Sequence, residues 1–188
     1  VVPVVNAPLV LRYSLLRKSS TGSWIPTRAD AVFLTGDNIK IEVEASEQAY
    51  LYILSRGTSG RWNMGLFPNA LINNGNNLVP KRTPYTVPTE TGFVFKLPTG
   101  PERLFIVLSR TPVKNLDGLK NTLDRGGTNA PQTQLAQNLA DSTIAELLKG
   151  RDIAFEVEDA IDQGGVFVAN RNQGNDDLVF ADLTLDHR

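Results

Sequence analysis

Apolar and polar residues alternate with a period of two through most of this chain. Leu9, Leu11, Tyr13 and Leu15 fall on one face of an extended segment, with Val10, Arg12, Ser14 and Leu16 on the other. Ile39, Ile41 and Val43 alternate with Lys40, Glu42 and Glu44, which predicts a strand with one face in a core and one in water. Phe93, Phe95 and Leu97 repeat the pattern, and so do Ile153, Phe155 and Val157. Two stretches are denser in apolar residues and predict the centre of the sheet system. Residues 49–69 read as a strand, a turn with Gly57 and Gly60, and a second strand carrying Trp62 and Met64 that stops at Pro68 and Asn69. In the first of these strands Leu51 and Ile53 face the core, and Tyr50 and Tyr52 face the opposite way. Residues 103–108 form the other dense run.

The punctuation between these segments sets the architecture. Residues 1–8, with Pro3 and Pro8, predict an extended lead-in. Pro80, Pro84 and Pro88 exclude a central strand over 78–88, because proline cannot donate to a ladder. Residues 69–77 hold five asparagines and predict an exposed loop, and further turns are predicted at 19–23, 35–38 and 170–177. Only 115–149 breaks the period of two. Leu116, Leu119 and Leu123 are spaced as a short helix, and Asn129 is placed to cap a second one that begins near Pro131. Leu135, Leu139, Ala140, Ile144, Leu147 and Leu148 make its apolar stripe, and Gly150 ends it. About nine short strands with turns every 8–12 residues predict a mainly β fold: one antiparallel sandwich over 1–188. The helical crossover at about 115–149 is expected over one end of that sandwich, with its stripe on the β core.

Composition narrows the function classes. The 188 residues suffice for a core without staples, and a net charge of −1 with 21% charged residues offers no basic surface for nucleic acid. There is no cysteine, which removes disulfides, thiolate metal sites and cysteine nucleophiles. No run of 18 apolar residues is present to span a bilayer as a helix. The chain opens at Val1 rather than methionine, which leaves room for a removed signal or an upstream segment.

Candidate chemistry is sparse. His187 is the one histidine, and a penultimate residue makes a poor base for a Ser-His-Asp arrangement, so it is expected exposed or at a strand end. With one histidine and no cysteine, neither a metal nor a cofactor is expected. Glu42 with Glu44, and Glu156 with Glu158, stand about 7 Å apart along their strands, a glycosidase-like separation, but solvent-facing alternation gives the same spacing. Asn175, Asp176 and Asp177 are rich in oxygen and lack the ligand spacing of a calcium loop. The better candidates are for binding. Tyr50, Tyr52, Trp62 and Tyr85, with Arg56 and Arg61, would form an aromatic face for a protein or a sugar if exposed; packing beneath the helical stretch is the plainer reading. Asn73 and Asn74 in the 69–77 loop are the other recognition candidates.

Gly36-Asp37 ahead of an alternating strand, then residues 49–54 (AYLYIL), 66–69 (LFPN) and 102–110 (ERLFIVLSR), together resemble a bacterial family, domain of unknown function 4384. The ending 181–188 (ADLTLDHR) is similar to the close of its longer members. The resemblance implies an immunoglobulin-like sandwich in exported or envelope proteins, used as an accessory module beside other domains such as kinases and caspase-like peptidases. It brings no catalytic residues. The motif residues also have structural uses: Asp37 can bond turn amides, Leu66 and Phe67 can plug a core, and Glu102 and Arg103 point to opposite faces. The expectation is a non-catalytic, envelope-associated module that binds a protein or a neighbouring domain. A carbohydrate-binding module or weak glycan hydrolase of the envelope is the alternative.

Overall fold

The alternating segments pair into two sheets in a computed structural model that describes residues 8–69, 72–124, 130–149, 166–169 and 177–188. The strands are β1 (Val10–Lys18), β2 (Trp24–Thr27), β3 (Val32–Phe33), β4 (Asn38–Ala45), β5 (Ala49–Arg56), β6 (Trp62–Phe67), β7 (Leu78–Val79), β8 (Tyr85–Val87), β9 (Phe93–Val94), β10 (Gly100–Ser109), β11 (Val166–Ala169) and β12 (Leu178–His187). Helices α1 (Lys114–Asp124) and α2 (Ala130–Lys149) lie between β10 and β11. The first sheet runs β11-β1-β4-β8, with β2 on β1 and β9 on β4. The second runs β3-β12-β10-β5-β6, with β7 on β5. The pairings between the named strands are antiparallel except β3 with β12. The fold is mainly β and forms a sandwich, as the alternation predicts.

β5 and β10 lie side by side at the centre of the second sheet, with Val107 opposite Tyr52 and Ile106 opposite Ile53. Their inward residues Leu51, Ile53, Leu104, Ile106 and Leu108 meet Leu11, Leu15, Ile39, Ile41 and Val43 of the first sheet in one buried cluster. Their outward residues Tyr52, Leu54, Phe105 and Val107 join Phe180 and the helix residues Leu116, Leu119, Ala136, Ala140 and Ile144 in a second cluster. This sheet is therefore covered on both faces. That explains why 104–108 reads as a continuous apolar run rather than an alternating one.

The helices consequently lie along the outer face of the second sheet, not over one end of the sandwich as the sequence predicts. The stripe of α2 is also shifted. At about 100° per residue, Ala136, Ile144 and Leu147 fall within about 40° of Ala140, whereas Leu135 is about 140° away. Leu135 and Leu148 are exposed, at 68% and 41%. The alanines bring the helix close to the sheet, and Gln137 reinforces the seam. Its side chain accepts from the Trp62 amide and donates to the Trp62 carbonyl, both at 2.7 Å.

Two further expectations change. Lys40, predicted in water, is buried: its Nζ donates to the Thr89 carbonyl at 2.7 Å and sits 4.6 Å from the centre of the Trp24 ring. The outer face of the first sheet is not bare there, because Trp24 reaches across it. The predicted strand over 93–97 ends at Val94, and Leu97 is 72% exposed. Phe95 stays buried, held by hydrogen bonds to the turn after β3, Phe95 N to Asp37 O and Gly36 N to Phe95 O. In the same turn the Asp37 carboxylate accepts from the Leu34 amide at 2.6 Å, the role the sequence assigns it. The predicted strand at 153–158 lies outside the described residues.

Burial raises the pKa of the Tyr13 and Tyr52 phenols to about 12. The neutral form is the one the fold favours. The associated stability is fully present below the ordinary phenol pKa near 10 and is lost as pH rises through about 12. An absorbance titration at 295 nm should show late ionisation near pH 12, with Tyr13→Phe and Tyr52→Phe each removing one late step. Ionisation of both at ordinary phenol pH would contradict the packing.

Candidate functional site

Among the described residues, a cavity of about 350 Å³ opens between the two sheets beside β9. Its apolar floor is Ile39 and Ile41 of β4, Leu104 of β10 and Leu185 of β12, with Phe93 and Phe95 along one wall. Ser55, Lys96 and Glu102 add polar groups, and Arg103 also lines the cavity. The volume is at the lower end of small-ligand sites, which run from about 300 to 1,000 Å³. Strand register explains the composition. Glu102 occupies the same face of β10 as Leu104 and Ile106, and it lies opposite Leu185; Ser55 lies opposite Leu104. These are inward positions near the open end of the sandwich, where the core gives way to polar residues.

Glu102 connects the cavity to the buried imidazole of His187. One carboxylate oxygen is 3.2 Å from Nδ1 of His187, whose side chain has no exposure. Nε2 of the same ring is 2.9 Å from the Thr35 hydroxyl, and the ring packs on Phe95 with centroids 5.2 Å apart. His187 does end a strand as expected, but it is buried rather than exposed. The short parallel pairing of β3 with β12 wraps the turn at 34–37 over it. Arg103 points the other way. It forms a two-point ion pair with Asp182, one contact at 2.7 Å, and stacks over Trp62. This pairing holds the Arg103 guanidinium above its ordinary pKa.

The aromatic candidates do not form an open platform. Tyr52 and Trp62 are 1% and 3% exposed beneath the helices. The Tyr52 hydroxyl donates to Asp117 and accepts from the Val113 amide, and the Trp62 indole donates to Asp141. Tyr50 packs at the margin of the same cluster. Tyr85 faces the inter-sheet core beside Phe67. Outward strand positions become packing positions here because α1 and α2 occupy that face. Arg56 lies over the Trp62 ring and within 3.5 Å of Asp141, whereas Arg61 is exposed. Asn74 is exposed with φ 53° in a short turn, and the side chain of Asn73 lies outside the described residues. Asn77 of the same predicted loop is buried and brackets Leu51 with two hydrogen bonds.

Among the described residues, the pair Glu42 and Glu44 is not assembled into a site. Glu42 and Glu44 are half-exposed and Glu44 pairs with Arg12, while Glu156, Glu158, Asn175 and Asp176 lie outside the described residues. Sequence reasoning missed Glu102 and His187 as partners, and Thr35 with them. One signal was available: Glu102 and His187 keep step with the inward residues Leu104 and Leu185 on their strands, so both point toward the core.

No curated protein and no solved structure matches the chain. A family model described as Domain of unknown function (DUF4384) matches residues 32–112. That span runs from β3 past β10 and includes every residue lining the cavity except Leu185. Over residues 32–112, the chain is similar to the DUF4384 family of domains of unknown function.

Proposed function

We propose that the chain is a non-catalytic binding module of the bacterial cell envelope, immunoglobulin-like in type, that docks a protein partner at the cavity end of the sandwich. The observation that carries this reading is an open apolar cavity with an apolar rim. Val94 lines the cavity at 46% exposure, and Leu97 stands just beyond Lys96 at 72%. Leu34, at 54%, belongs to the turn that hydrogen-bonds to Phe95. Apolar side chains left in water around a preformed pocket favour a protein surface that covers the rim and fills the hole. The envelope assignment rests on the family resemblance.

The Thr35-His187-Glu102 chain has the order of a hydroxyl, an imidazole and a carboxylate, but catalysis of acyl transfer also needs donors for the developing oxyanion. The amides of Leu34, Gly36 and Asp37 already donate to the Asp37 carboxylate, Phe95 O and Leu34 O. This supports a structural use: the three residues pin the end of β12 to the turn before β4.

The test is a cross-linked capture from envelope extract of the protein's own bacterium, run with wild type and with Leu97→Asp and Leu34→Asp. Both variants change exposed residues and should leave the melting temperature unchanged. The expected result is one enriched protein, reduced at least about tenfold in the variants, the scale of losing a hot-spot contact. Equal capture by all three proteins would overturn the docking end.

A further inference from the structure

The charge balance around the cavity points to a specific occupant. Arg103 is neutralised by Asp182, and Lys96 is exposed on the rim, where solvent screens it. Glu102 is different. Its side chain is only 26% exposed, and among the described residues its one ion-pair contact is the imidazole of His187. An imidazole carries charge only when protonated, so the cavity presents a largely covered carboxylate with no permanent cation among its described ion-pair contacts. The same cavity is lined by the apolar side chains of Ile39, Ile41, Leu104 and Leu185 and by the aromatic Phe93 and Phe95.

A carboxylate that lines the same cavity as apolar and aromatic side chains matches a group with a cationic head and a long apolar stem. Lysine and arginine side chains have that form: their methylenes pack on apolar surface while the head seeks an anion. An anionic ligand would meet Glu102 unfavourably, and a purely apolar one would leave the covered carboxylate without a partner and further desolvated.

We propose that the cavity takes a lysine or arginine side chain of the partner protein, its cationic head ion-paired to Glu102 and its methylene stem on the inter-sheet floor. This rests on the reading of the cavity end as a protein-docking surface, and it adds the chemistry of the residue that is inserted. Leu34, Val94 and Leu97 then cover the apolar residues that flank the basic one.

The test uses the full chain with labelled isoleucine and leucine methyl groups, titrated with N-acetyl-arginine amide, N-acetyl-lysine amide and the neutral N-acetyl-norleucine amide. The basic amides should shift the methyl signals of Ile39, Ile41, Leu104 and Leu185 saturably. Norleucine amide, and the basic amides on Glu102→Gln, should bind at least about tenfold more weakly, the scale of one charge-assisted hydrogen bond. The neutral probe keeps the result readable if Glu102→Gln disturbs His187. Norleucine amide binding as tightly as the basic amides, or no methyl shifts with any probe, would overturn the proposal. Two outcomes of the capture experiment separate it from the docking reading. If Glu102→Gln captures the partner as wild type does and Leu97→Asp does not, the basic side chain is overturned alone. If the amides bind through Glu102 while Leu97→Asp captures normally, the docking surface is overturned alone.

Discussion

Replacing Trp62 with alanine should lower the unfolding free energy by about 3–5 kcal/mol, the range for removing a large buried aromatic. Trp62 joins the helical layer to the second sheet. Its indole donates to Asp141 of α2 at 2.8 Å, and Arg56 and Arg103 lie over its ring at 5.6 and 5.7 Å. Alanine removes the ring area and leaves Asp141 without that donor. The backbone bonds from Gln137 to residue 62 survive, so the loss reports on the side chain alone. For a chain of this length the melting temperature should fall by roughly 10 °C. Trp62→Phe should retain most of the area and lose about 1 kcal/mol with the indole bond. Denaturant unfolding followed at 222 nm is the measurement. A loss below about 1 kcal/mol for Trp62→Ala would mean that the helices do not depend on this residue.

Ile106→Ala should cost about 2–5 kcal/mol through the other cluster, the one between the sheets. Ile106 has no exposure and lies between Ile53 of β5 and Ala181 of β12. Its neighbours in the chain, Phe105 and Val107, face the helices instead. The void left by alanine would be walled by residues from several strands, and a sandwich held by register on both sides has little freedom to collapse into it. The urea midpoint should fall while the slope of the transition is unchanged, because the surface exposed on unfolding is nearly the same. A change below about 1 kcal/mol would show that the sheets rearrange to close the gap.

The legible parts of the fold are those governed by local geometry. A period of two identifies β1, β4 and β5 without a partner in view, because a strand presents alternate residues to one face whatever lies there. Asp37 was readable as a turn residue because the amide it binds is three positions away. Lys40 was not readable as buried. By alternation it points to the outer face of its sheet, and Trp24, brought over by another strand, and the Thr89 carbonyl take it out of water. The burial of His187 was not readable for the same kind of reason: its partners, Thr35 and Glu102, are distant in sequence and meet through β3 and β10. Leu97 kept the alternation of Phe93 and Phe95 but lies beyond the end of the pairing, where the chain turns toward β10.

The sequence by itself determined the class of fold, the two central strands, the inward residues of most strands and the family resemblance of residues 32–112. Each follows from side-chain periodicity, turn chemistry or motif order, which are properties of neighbouring residues. Only the tertiary structure decided which outward faces were covered. The same alternation that places Tyr52 and Trp62 outward serves equally for a binding platform and for a packing surface. The helices, long-range in sequence, settled it as packing. The cavity is likewise a property of assembly. It exists because two sheets meet at an end where Glu102, Ser55 and the β9 segment replace large apolar residues, and no single strand carries that information.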